Sequence, residues 1–195
     1  AAELARVEGV VWRSCDEGAN VEASAILRGA RVGWFQDREE AGPRALGARS
    51  LLASPALPGQ RDRINRLKGR EPYRPLALAV TDAVYRERFD GPACPYMLLS
   101  AAVRDGAMHG LGEGLHVDGR SRLQLVDEQS AAHFRDLLEA VTRAGSPPAL
   151  INTSLNAEGE PIVGTPGEAA RLLARGVIDR LFVGNLEVTQ PGSPR

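Results

Sequence analysis

The chain has 195 residues, 43% of them hydrophobic and 25% charged, with a formal net charge of −1. That is enough for one large domain with its own core, and no apolar run approaches the ~20 residues a membrane-spanning helix needs. Aromatic residues make up only 5%, too few for a base-stacking platform, and the balanced charge argues against nucleic-acid binding by bulk attraction. Any anion site must therefore be local.

Residues 1–20 lack periodicity and read as a lead-in to a domain over 21–190, with 191–195 a loose tail. A helix is predicted from Val21 to Arg28, stopped by Gly29 at the C-terminal position that favours glycine. Arg31 to Gln36 predicts a strand. Gly42-Pro43-Arg44-Ala45-Leu46-Gly47 follows, a rigid loop able to offer an anion both backbone N–H groups and a guanidinium. Ser50 to Ala53 predicts a short strand. Gln60 to Leu67 predicts a polar helix whose Arg61, Arg63 and Arg66 form a solvated face. Leu76 to Val80 is continuously apolar, as in a strand buried on both faces, and Thr81 caps a helix from Asp82 to about Phe89.

Met97 to Val103 predicts another strand, followed by a loop with Gly106, Gly110, Gly112 and Gly114, and then His116-Val-Asp118-Gly-Arg120-Ser-Arg122 leading into a strand from Leu123 to Val126. Ser130 caps a helix with Phe134, Leu137, Leu138 and Val141 as one apolar stripe. Ala149 to Ile151 predicts a strand running into Asn152-Thr153-Ser154-Leu155-Asn156. Thr165-Pro166-Gly167-Glu168 is a helix start with a capping box and proline at its first position. Strands from Leu181 to Val183 and Leu186 to Val188 close the chain. The alternation makes this an α/β domain. Cys15 and Cys94, without a CxxC pair or secretory segment, fit a reducing cytoplasm.

Several chemistries lack their residues. His109, His116 and His133 are not at metal-ligand spacing, and there is no GxSxG frame, GxxxxGK[ST] loop or GxGxxG fingerprint. His133 reads as structural or solvated. What the chain does hold is cations beside strands. Its 24 basic residues include one lysine, Lys68, in Lys68-Gly69-Arg70-Glu71-Pro72-Tyr73-Arg74-Pro75. A chain that otherwise uses arginine keeps an ammonium where a compact point charge matters. Together with Arg44, and with Arg122, Ser154 and Asn156, this segment suits a phosphate-rich substrate. Asp118 reads either as a Mg²⁺-facing carboxylate or as the partner of His116 or Arg120.

Six stretches in one order carry a resemblance: Gly-Trp-Phe-Gln at 33–36, Gly-Pro-Arg-Ala-Leu-Gly at 42–47, the lysine segment at 68–75, His-Val-Asp-Gly at 116–119, Asn-Thr-Ser-Leu-Asn at 152–156 and Gly-Glu-Pro-Ile-Val at 159–163. They resemble the C-terminal domain of the antibiotic and nodulation O-carbamoyltransferases, from about Val21 to Val188. The resemblance implies a YrdC-like fold, a twisted mixed sheet with flanking helices in a single domain. The fold is related to the threonylcarbamoyl-adenylate synthases and to a domain of the hydrogenase-maturation carbamoyltransferase.

The resemblance also implies an activity. Carbamoyl phosphate is cleaved to carbamate and phosphate, and carbamate then joins ATP, with Mg²⁺, to give carbamoyl-adenylate and pyrophosphate. By matching position, Lys68, Arg74, Arg122 and Ser154 would be catalytic, and Arg44, His116, Asn152 and Asn156 would join them in holding the nucleotide and phosphates, with no metal ligand in this chain. A Kae1-like domain, fused or separate, would pass the carbamoyl group to an acceptor hydroxyl, so this chain alone is not expected to complete transfer. The implied setting is cytoplasmic, without membrane or nucleic acid.

Asp37, Ala41, Ala48 and Leu78 depart from the family pattern, standing where Gly, a bulky residue, Asn and Pro are expected. Two other readings compete: a non-catalytic RNA- or nucleotide-binding module of the same fold, and a threonylcarbamoyl-AMP synthase.

Overall fold

The computed structural model describes residues 1–15, 29–143 and 149–193. Among them ten strands form one mixed sheet: β1 (Val11–Ser14), β2 (Val32–Phe35), β3 (Arg49–Ala53), β4 (Ala77–Thr81), β5 (Phe89–Asp90), β6 (Ser100–Val103), β7 (Arg120–Val126), β8 (Ala149–Ser154), β9 (Arg180–Val183) and β10 (Leu186–Thr189). Their order is β1-β10-β9-β2-β3-β8-β4-β7-β6-β5. The β2–β9 and β4–β7 pairs are parallel and the others antiparallel. Among the described residues four α-helices flank the sheet: α1 (Gln60–Leu67), α2 (Asp82–Arg88), α3 (Ala132–Arg143) and α4 (Pro166–Ala174).

Strand alternation sorts the apolar side chains onto two faces. Leu51, Leu78, Ile151 and Leu181 pack with Ile64 of α1, Val84 of α2 and Leu172 of α4. Their sequence neighbours Leu52, Ala79, Leu150 and Phe182 face the other way, with Trp34, against Phe134, Leu137, Leu138 and Val141 of α3. The predicted stripe of α3 is thus its buried face. With helices on both sides, β2, β3 and the apolar parts of β4 and β8 are buried throughout, which is why 51–53, 77–80 and 149–151 read as unbroken apolar runs.

Both predicted threonine caps form. Thr81 Oγ1 accepts from Val84 N–H, and Thr165 and Glu168 complete a capping box behind Pro166. Other boundaries differ from the sequence reading. Part of the stretch expected as a lead-in belongs to the sheet: β1 pairs with β10 from Val11 to Ser14, and Leu4 is fully buried. The helix expected at Val21 to Arg28 lies outside the described residues. Ser130 does not cap α3; its hydroxyl bonds to Asp127, and the helix begins at Ala132. Met97, with φ of +55°, is outside the extended region, so its strand starts only at Ser100. Phe89 belongs to β5 and not to α2.

Two extensions matter most. The strand expected from Leu123 begins at Arg120, and the one expected to end at Ile151 continues to Ser154. Their polar ends hide the strand pattern in sequence. They place Arg122, Asn152 and Ser154 on rigid sheet and not in loops.

Candidate functional site

Beyond the reach of α3, the same sheet face turns polar. Register pairs Asn152 of β8 with Leu52 on one side and Ala77 on the other, Ala79 with Gln124, and Arg122 with Ser100. Between β8 and β7, β4 offers this face only the methyl groups of Ala77 and Ala79. Longer side chains can therefore meet across it. Asn152, 1% exposed, donates from Nδ2 to Gln124 Oε1 at 2.7 Å and to Ala45 O at 3.3 Å, and Gln124 Nε2 donates to Leu46 O at 2.7 Å. This chain of amides ties the Arg44 loop down onto the sheet. Gly47 completes the docking: with φ of +116°, it lies so close to Phe134 that a Cβ would stand 2.5 Å from the ring. Asn152 thus positions the loop.

Lys68 sits at the end of α1, its N–H bonded back to Ile64 O and Asn65 O. The chain then turns through Gly69, whose φ is +57° and whose Cα is covered by the Glu158 carboxylate. Asn65 holds the following loop, donating from Nδ2 to Pro72 O (3.2 Å) and Arg74 O (2.9 Å) while its own carbonyl accepts from Arg70 N–H (2.8 Å). The lysine side chain is 6% exposed. Its Nζ lies 2.6 Å from Ser154 O, 3.3 Å from Ser154 Oγ, 3.2 Å from Asn156 O and 2.7 Å from Asn156 Oδ1. Ser154 Oγ donates to Asn156 Oδ1 at 2.6 Å, so the Ser-x-Asn element and Lys68 form one closed network. Burial and, to a lesser degree, the charge of Arg70 push Lys68 down from 10.5 to about 7.

Around this network the positive charges repel one another. Arg122 is held below its usual value by burial and then by Arg44 and Arg70; Arg70 is lowered by burial and then by Arg74. Arg44, Arg70 and Arg122 are partly buried. Among the described residues their guanidinium groups have no hydrogen-bond or carboxylate partner, and Nε of Arg122 is enclosed without an acceptor. Desolvated like charges left this way cost free energy unless an anion fills the space between them.

The structure therefore brings together Arg44, Lys68, Arg122, Ser154 and Asn156, with Asn152 beneath. It does not bring in His116, which is exposed at a turn and paired with Asp118 Oδ1 at 3.2 Å; the same oxygen accepts from Arg120 N–H at 3.0 Å. Asp118 is thus the partner of both neighbours. Arg74 is exposed and ion-paired with Glu71 at 2.8 Å, and reaches the cluster only through its field on Arg70. Asn65 and Gln124 are the residues the sequence reading passed over, and Arg70 figures there only as part of the lysine segment suited to phosphate. Gln124 stands out only as a polar residue between two leucines. Among the described residues no three His, Cys, Asp or Glu side chains are grouped to hold a metal.

A family model described as the carbamoyltransferase C-terminus matches residues 23–190. The chain belongs to that family. It is 39% identical over 176 residues to a nodulation protein, NolNO, of Sinorhizobium fredii, an alignment covering 88% of this chain and 26% of that protein. It is 43% identical over 147 residues to the 3′-hydroxymethylcephem-O-carbamoyltransferase of Amycolatopsis lactamdurans, covering 73% and 27% respectively. The chain thus spans about a quarter of the length of these two relatives. Among solved structures, full-length HypF in a phosphate- and nucleotide-bound form superposes with a TM-score of 0.57 at 16% identity, over 93% of this chain and 22% of that one. At that identity the likeness concerns the fold, which is YrdC-like, as the sequence motifs imply. As a carbamoyltransferase C-terminal domain, the chain carries its family motifs on the elements that build the cationic face: residues 42–47 on the docked loop, 68–75 after α1, and 152–156 at the end of β8.

Proposed function

We infer that this chain is the carbamoyl-activating part of a larger O-carbamoyltransferase, joining carbamate from carbamoyl phosphate to the α-phosphorus of ATP. The observation that carries the reading is the set of three partly buried, unpartnered guanidinium groups beside Lys68. Both substrates are polyanions, and the attacking carbamate is an anion too, so its approach to a phosphate requires charge neutralisation and fixed orientation. Arg44, Arg70 and Arg122 would grip phosphate oxygens as bidentate forks. Lys68, with Ser154 and Asn156, would fix the wall against which they act. A carbamate oxygen bonds to the α-phosphorus while the bond to the β-phosphate oxygen breaks. Pyrophosphate leaves, and the arginines balance the charge that builds on it.

Mg²⁺ fits this scheme as the counterion that ATP brings, since among the described residues this face presents cations and no group of three metal-ligating side chains. Transfer of the carbamoyl group to a hydroxyl would belong to a further Kae1-like domain, in keeping with relatives about four times as long as the aligned region. The phosphate and nucleotide named for the HypF structure support the choice of ligands.

The test is pyrophosphate release. With ATP, carbamoyl phosphate and Mg²⁺ the chain should release pyrophosphate and phosphate without any acceptor, and Arg122→Ala should abolish it. Folded protein that releases none, or that requires threonine and bicarbonate instead, would overturn the reading.

A further inference from the structure

We propose that Arg49 is a positioning residue for this reaction: it locks the loop that carries Arg44 to the strand end that cages Lys68, and so fixes the spacing between the two sides of the anion site. The inference rests on the reading of that site as the place of adenylate formation.

Strands β2 and β3 are joined not by a tight turn but by residues 36–48, which form neither helix nor strand. A connection of that length closes at an entropic cost and does not set its own shape. Arg49 stands where the loop rejoins the sheet. Register sets it directly opposite Phe35, and its guanidinium lies over that ring, 3.6 Å from the centroid. Nη1 donates to Gln36 O at 2.5 Å and to Ala48 O at 3.1 Å, and Nη2 donates to Asp37 O at 2.9 Å. One planar fork thus bridges both feet of the loop, which an ammonium, a single point charge, cannot do. Asp37 is held a second time, by His133 of α3 on its carboxylate.

The main chain of the same residue faces the other side of the site. Arg49 O accepts from Leu155 N–H at 2.9 Å. Leu155 separates Ser154 from Asn156, the two residues that cage Lys68. Arg44 is therefore joined to Lys68 through one residue that is only 5% exposed. Its Nε is enclosed without an acceptor. A buried cation left this way costs stability that an apolar residue would not. What the fork adds in return is a fixed orientation of the loop against the Ser-x-Asn element.

The test is pyrophosphate release from ATP and carbamoyl phosphate with Mg²⁺ by wild type, Arg49→Lys, Arg49→Ala and Arg31→Lys, with rates referred to folded protein. Arg31 is the control: it is 7% exposed, bonds to Asp179 and Gly176 O, and lies at the other end of β2. Arg49→Lys should lower kcat by about 10- to 100-fold, the scale of loss that ~1 Å of misplacement brings. Its KM for ATP should change by less than about threefold, since Arg70, Arg122 and Lys68 still hold the phosphates. Arg31→Lys should lose stability and keep kcat. In Arg49→Ala, guanidinium ion at sub-denaturing concentration should restore part of kcat and methylammonium should not, because only the planar ion bridges the two feet. Wild-type kcat in Arg49→Lys, or an equal response of Arg49→Ala to the two cations, would overturn the positioning role and leave the phosphate reading standing. A wild-type chain that releases no pyrophosphate would overturn both.

Discussion

Lys68 is the residue on which most of the chemistry converges, and its surroundings make its behaviour testable. Four oxygens surround Nζ within 3.3 Å, while an ammonium has three protons to donate, so the cage is already fully engaged before any ligand arrives. Its depressed value of about 7 gives a sign to two measurements. Between about 7 and 10.5 the unfolded chain binds more protons than the folded one, so stability should rise as pH increases through that window, as seen in chemical denaturation at fixed salt. Anion binding runs the other way. A bound phosphate favours the charged form, so binding should take up about half a proton at pH 7 and closer to one at higher pH, and weaken by up to about tenfold per unit above it. Calorimetry in buffers of different ionisation enthalpy reads the proton directly.

The lone lysine was legible from composition, but the reason for it was not. A compact ammonium fits between two carbonyls, a hydroxyl and an amide oxygen where a planar fork does not. Lys68→Arg should therefore lower pyrophosphate release by roughly 10- to 100-fold, the loss expected for a hydrogen-bonded charge. It should lower stability by about 1–3 kcal/mol through overpacking, with the circular dichroism spectrum retained. Near-normal turnover would make the lysine incidental. Asp37 is a smaller case of the same kind. It stands where the family pattern has glycine, and the structure gives it a φ of +41°, a conformation that favours glycine but that aspartate tolerates.

At the scale of elements, the site depends on the loop at 42–47 being pressed onto the sheet. Gly47→Ala would drive a methyl into the Phe134 ring at a φ of +116°, and should cost about 2–5 kcal/mol. Gly9→Ala is the control. Its φ is +77° with nothing within 4 Å, so about 1 kcal/mol is expected. The difference in melting behaviour measures the packing contact alone. Asn152→Ala cuts the tether through Ala45 and leaves Gln124 Oε1 without its donor, which should cost about 1–3 kcal/mol. It should also weaken phosphate binding by releasing Arg44, although Asn152 is buried below the site. Unchanged anion affinity in that variant would separate loop docking from function.

Element boundaries were legible wherever apolar periodicity ran unbroken. The helix expected from Gln60 to Leu67 has those limits in the structure, and the capping box at Thr165 lies where its sequence predicts. Boundaries failed where polar residues sit on strands. Arg120, Arg122, Asn152 and Ser154 carry no strand signal locally, because what keeps them extended is pairing with strands distant in sequence. The same cause hid β1, whose four residues are all exposed and which is held only by its pairing with β10.

For the molecule as a whole, the charge distribution matters more than the total. A net charge of −1 conceals a face on which Arg44, Lys68, Arg70 and Arg122 have no carboxylate partner among the described residues, while acidic side chains are paired elsewhere, as Asp179 is with Arg31 and Glu187 with Arg180 and Arg13. Anion affinity should accordingly fall with added salt, but less steeply than at an open surface, because the cluster is partly buried. The chain alone should perform the adenylate half-reaction and leave a hydroxyl acceptor unmodified; formation of carbamoylated acceptor by this chain, read by mass spectrometry, would refute that division of labour. No helix among the described residues is long and apolar enough to cross a membrane.

Local signals along the chain suffice for the α/β class, most of the helices and central strands, the family, and the segments that hold the phosphate-binding candidates. Periodicity, caps and ordered motifs are local signals, and these features are locally encoded. Which candidates meet is a matter of how the sheet assembles. Assembly gathers Arg70 with Arg44 and Arg122, turns Asn152 and Gln124 into the struts beneath them, and leaves His116 and Arg74 outside, each beside its own carboxylate. Those assignments depend on strand register and on the alanines of β4, over which two amides can reach; neither is a property of any one stretch of chain.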